Sequence, residues 1–142
     1  MPTFPRISAA LLALATTGLL SPAGAEQMMF RADLTGAAQV PPVETTATGA
    51  ADVTVDSEAM TVSWTVTHEG LSGDPVAAHF HGPAGPEETA PPVIDISENL
   101  AEGSVEITPE QMQMIQDGMT YINIHTEANP DGEIRGQVLA AQ

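Results

Sequence analysis

An all-β domain is the fold class this sequence predicts: an antiparallel, Greek-key-like β-sandwich or barrel of about seven to eight short strands with one short helix. Three observations predict it. Apolar residues recur with a period of two, the period of a half-buried strand. Gly, Pro, Asn and Asp sit between those runs at short intervals. One stretch alone carries the chemistry of a helix start.

The clearest strand is 59–68, where Met60, Val62, Trp64 and Val66 alternate with Thr and Ser. That parity places the four apolar side chains on one face and predicts a buried Trp64. Similar runs read at 29–34, 50–55, 76–81, 93–96, 104–107, 121–126 and 133–139. The helix is expected over 109–117. Thr108 supplies an N-cap, Pro109 fits the first helical position, and Gln111 completes a capping box. Met112 and Ile115 share one face as core filler, and Gly118 stops the helix. Asn129-Pro130-Asp131-Gly132 reads as a hairpin turn. It offers too few oxygens for calcium, which takes about 6–8.

The start of the chain reads as a targeting segment. Arg6 ends a short positive region, 7–20 is apolar, and Ala23-Gly24-Ala25 supplies a small-x-small cleavage pattern. The apolar run falls short of the roughly 20 residues that span a bilayer. Residues 1–25 are therefore expected to be a secretory signal peptide, and 26–142 one domain. The expected location is periplasmic or secreted, with no membrane partner after cleavage.

Composition narrows the chemistry. There is no cysteine, so disulfides, thiolate catalysis and Cys-type zinc sites drop out. Nineteen acidic residues face three basic ones, and only Arg31 and Arg135 lie beyond the leader. The formal net charge of −16 argues against nucleic acid, which needs Lys and Arg for its phosphates. It favours cations near the surface, although most of these carboxylates serve solubility.

The four histidines are His68, His79, His81 and His125. In a strand, residues i and i+2 share a face about 6.5–7 Å apart. His79 and His81 thus stand side by side, and Phe80 points the other way. His125 alternates with Ile122 and Ile124, which sets it on the face of Asn123 and away from the core. If the two strands are neighbours, His79, His81 and His125 converge on one ion. Imidazole suits copper or zinc. His68 follows Trp64 and Val66 in parity and could add a weak fourth ligand, although a structural place near the core is the simpler role. Arg135 shares parity with Glu133, which suggests an ion pair.

Several ordered segments resemble the CHRD domain, the module named after chordin, over nearly all of 30–138. They are 34–42 (Leu-Thr-Gly-Ala-Ala-Gln-Val-Pro-Pro), 70–73 (Gly-Leu-Ser-Gly) and 77–85 (Ala-Ala-His-Phe-His-Gly-Pro-Ala-Gly). Three more follow at 107–111, at 121–126 (Tyr-Ile-Asn-Ile-His-Thr) and at 129–137 (Asn-Pro-Asp-Gly-Glu-Ile-Arg-Gly-Gln). The resemblance implies an all-β exported domain with no generally established catalytic activity. His79, His81 and His125 fall inside these motifs, and His68 does not. Chordin's growth-factor binding does not carry over, because its cysteine-rich modules have no counterpart here. The His-x-His strand is also similar to the copper-ligand strand of copper–zinc superoxide dismutase, a local analogy only.

The resulting expectation is a non-catalytic, exported module that binds copper or zinc through His79, His81 and His125. A dismutase-like copper redox enzyme and a ligand-free structural or adhesive module are the alternatives. Export has a direct check. Mass spectrometry of the protein from the periplasm or medium is expected to find Glu26 at the N-terminus, and an intact Met1 in the membrane fraction would contradict it.

Overall fold

The computed structural model describes residues 26–142; the expected signal peptide, 1–25, lies outside the described residues. Nine strands and one helix follow in order: β1 (Gln27–Thr35), β2 (Thr48–Asp56), β3 (Thr61–Glu69), β4 (Pro75–His81), β5 (Pro92–Asp95), β6 (Glu102–Glu106), α1 (Pro109–Gln116), β7 (Tyr121–Thr126), β8 (Ile134–Gln137) and β9 (Leu139–Ala140). They form one antiparallel sheet in the order β5-β4-β7-β8-β1-β2-β3-β6, with β9 added beside β1.

That sheet must curl. The two edge strands, β5 and β6, are linked by residues 96–101 alone. Such a link reaches about 25 Å at full extension, whereas the edges of a flat sheet of eight strands stand about 33 Å apart. The curl brings strands two and seven face to face. Trp64 of β3 meets Phe80 of β4 edge to face, with ring centroids 6.2 Å apart. The inner face is therefore a single core, filled by alternate residues of each strand. Phe30, Leu34, Val53, Val55, Val62, Trp64, Phe80, Ile122, Ile124 and Ile134 are all buried there.

The helix closes the structure as its sequence dictates. Thr108 accepts from the Gln111 backbone and Gln111 reaches back to the Thr108 amide, which completes the capping box. Ile115 is buried, and Met112 packs against the core. Gly118 follows in the left-handed region, at φ 70°.

Two local expectations change. Met60 is not a strand residue. It sits in the β2–β3 turn at φ 55°, where Asp56 accepts from the backbone amides of Glu58 and Ala59. So tight a link needs one left-handed residue, and the apolar pattern gives no sign of it. The expected last strand, 133–139, is two strands. Val138 breaks it by donating to the Thr120 carbonyl, after which β9 joins β1.

Trp64 spans the seam between the two halves of the sheet, and its indole N–H donates to the Asn99 carbonyl at 2.8 Å. Trp64→Ala is expected to cost about 3–5 kcal/mol. Urea unfolding followed by circular dichroism reads that loss, and a cost below about 1 kcal/mol would mean the seam does not depend on this contact.

Candidate metal centre

β4 and β7 are adjacent and antiparallel, with His79 opposite Asn123, His81 opposite Tyr121 and Ala77 opposite His125. The alternation that buries Phe80 turns both β4 histidines outward. The ring centroids of His79 and His81 lie 5.5 Å apart, those of His79 and His125 5.3 Å, and those of His81 and His125 6.1 Å. One nitrogen from each ring falls within 4.8 Å of the others. The convergence expected of these three residues is present.

The outer nitrogens fix which atoms face inward. His81 Nδ1 lies 2.8 Å from the Ala90 carbonyl, and His125 Nδ1 lies 2.8 Å from the Pro130 carbonyl. A carbonyl only accepts, so each Nδ1 carries the proton and each Nε2 keeps its lone pair. The Asp95 carboxylate lies 3.9 Å from His79 Nε2, too far for a hydrogen bond. His79 Nδ1 faces His125 Nε2 at 3.4 Å. Two nitrogens bound tetrahedrally to one ion, with bonds of about 2.0–2.1 Å, stand roughly 3.3–3.4 Å apart. His81 Nε2 is buried and has no hydrogen-bond partner among the described residues. Leaving such an atom unpaired costs about 1–3 kcal/mol.

The surroundings hold the rings in place. Tyr121 stacks on His81 at a centroid distance of 4.8 Å, and its hydroxyl donates to the Ala90 carbonyl. The Arg135 guanidinium lies 3.5 Å from the centre of the Tyr121 ring. Arg135 Nη2 donates to the carbonyls of Gly85 and Glu88, at 3.0 and 2.7 Å, and Gln137 donates to that of Ala84. These bonds pin the 82–91 loop over the outer face of β4, β7 and β8. Opposite it, Gln39 donates to Asn123 Oδ1, and Asn123 donates to the Asp131 carbonyl. Gly132 lies so close to Asn123 that a Cβ there would meet its amide oxygen at 2.1 Å.

Two expectations about neighbouring residues are corrected. His68 is exposed near the end of β3, outside the group of three. Its parity matches Trp64, but nothing covers the strand there. Arg135 and Glu133 make no ion pair. The Glu133 carboxylate accepts from Ser72, Thr126 and Asn129 instead. Burial pushes its pKa up, but these donors outweigh burial and hold it below the ordinary range.

Parity placed the three histidines, but it did not reveal their supports. Pro130 was within reach, since it lies in the turn that follows His125. Ala90 acts through its backbone, which leaves no mark in the sequence. Tyr121, Asn123 and Arg135 alternate with core residues like any strand pattern.

Burial lowers the pKa of both His79 and His81. Asp95 partly offsets this for His79, and the Ala90 hydrogen bond does so for His81. A histidine that is harder to protonate when folded stabilises the fold fully above the ordinary value of 6.5 and loses that contribution as pH falls through its lowered value. The metal-free domain is therefore expected to unfold at lower urea concentration at about pH 5.5 than at about pH 7.5, a range above most carboxylate titration. Replacing both histidines by Asn should flatten that difference. An equal slope in the variant would assign the effect to other groups.

No solved structure was found to match this chain. The CHRD domain family model matches residues 30–138. That span covers most of the chain and takes in all three converging histidines, so the chain belongs to the CHRD domain family.

Proposed function

We propose that this CHRD-domain protein is an exported, non-catalytic module that binds copper or zinc through His79, His81 and His125. The observation that carries the reading is the buried, unpartnered Nε2 of His81, facing the imidazoles of His79 and His125. A structural histidine gains by pairing both nitrogens. His81 and His125 are instead each oriented from the outside by a backbone carbonyl, as the ligands of metal sites are.

The donor set narrows the ion. Three neutral imidazoles suit copper and zinc, and hard ions such as calcium or magnesium take oxygen. The Asp95 carboxylate lies 3.9 Å from the outer nitrogen of His79, away from the inward-facing nitrogens. Three nitrogens leave a four-coordinate ion one ligand short, which suits reversible holding or transfer of the ion. Export remains part of the reading because of the leader pattern.

Titration of the purified domain with copper or zinc, with free ion controlled by a competing chelator, tests this. His79→Ala, His81→Ala and His125→Ala are each expected to weaken binding by about a hundredfold or more, beyond the roughly 10–100-fold typical of outer-shell changes. His68→Ala should leave it unchanged. Equal stoichiometry and affinity in the wild type and the triple variant would return the histidines to a structural role.

A further inference from the structure

We propose that the cavity beside His81 and His125 is an anion site, in which a small carboxylate or oxyanion completes the metal's coordination and is neutralised by Arg135. The inference rests on the metal reading above and adds the class of the missing ligand.

The cavity holds about 370 Å³ and is walled by His81, His125, Tyr121, Asn123, Gln39 and Arg135. Arg135 is only 2% exposed. Taking a guanidinium out of water is costly unless a counter-charge or a full set of acceptors meets it. Among the described residues no carboxylate reaches it, although the chain is rich in acid. Among the described residues both of its hydrogen bonds are made by Nη2, and Nε and Nη1 make none. Arg135 is thus a buried cation with unused donors on the wall of a cavity.

The metal would add to the same imbalance. Three neutral imidazoles cancel none of the charge of a divalent ion. Metal and guanidinium would then border one cavity with no carboxylate paired to either of them among the described residues. The carboxylate that lines the cavity, Asp131, comes from the hairpin turn and makes no contact with Arg135 within ion-pair distance. An anion in this cavity would be attracted by both charges, which lie on its wall. The acidic surface repels anions at long range, so only one held by both groups together is retained.

Azide is a suitable probe, because its bond to Cu(II) gives a visible charge-transfer band. Copper loading is first established by electron paramagnetic resonance with nitrogen hyperfine structure. Absence of that signal would sink the metal reading, and this inference with it. With copper bound, azide is expected to develop its band, and Arg135→Gln should weaken azide by about tenfold or more while copper loading persists. Thr89, an exposed residue at the cavity mouth, provides a pair of variants that spares the fold. Thr89→Lys should tighten azide and Thr89→Glu should weaken it, each by about twofold. Copper that binds normally but takes azide equally in Arg135→Gln would overturn the anion site and leave the metal reading standing. If Arg135→Gln does not fold, unchanged azide affinity across the Thr89 pair overturns the anion site in the same way.

Discussion

The structure depends on the contact between Trp64 and Phe80. It joins the second and seventh strands of one sheet and so converts an open ribbon into a closed core. No disulfide assists it. Because Phe80 is committed inward, strand alternation leaves His79 and His81 no choice of face. The pair of imidazoles is the outer side of the residue that closes the core. Hydrophobic burial on one face of β4 thereby supplies the orientation that metal ligation would need on the other.

That outer face is unusual for an antiparallel sheet, whose second side is commonly left to water. Here Tyr121 and Asn123 are nearly as buried as Ile122 and Ile124, with which they alternate. The cover is loop backbone, and backbone must be hydrogen-bonded when buried. Arg135, Gln137, Tyr121 and His81 all spend side-chain donors on carbonyls of the 82–91 loop. The polar residues of β7 and β8 therefore act as a second, hydrogen-bonded layer. Carbonyls meet most of the cost of burying them, and His81 Nε2, Thr120 Oγ1 and Gln137 Oε1 are left without a partner among the described residues.

Much of this was legible in the sequence, and the limits have physical causes. Period two located the main strands because each has one apolar face. It failed at Met60, where a left-handed turn residue happens to continue the apolar parity. It failed again at Val138, where an apolar residue changes partner strands without breaking the pattern. The three histidines were legible because strand geometry fixes i and i+2, and because His125 falls out of phase with Ile122 and Ile124. The adjacency of β4 and β7 was not legible, since β5, β6 and α1 all intervene between His81 and Tyr121. Parity also misassigned Glu133 and Arg135 to each other. Sharing a face says nothing about competing donors, and Ser72 comes from a distant loop.

The acid content and the histidine cluster divide two tasks that are easily merged. The carboxylates are spread over the surface, and the one buried carboxylate, Glu133, is saturated by hydroxyl and amide donors. None of them lies among the three inward nitrogens. A diffuse negative field raises the local concentration of any cation, and it falls off within a Debye length of about 8–10 Å. In the proposed metal reading, selection would belong to the imidazoles, whose softness distinguishes copper and zinc from the calcium and magnesium that the same field attracts. Attraction and choice would then be carried by different residues. Keeping carboxylates out of the cluster is also what leaves the charge of a bound ion, and that of Arg135, for an external anion to balance.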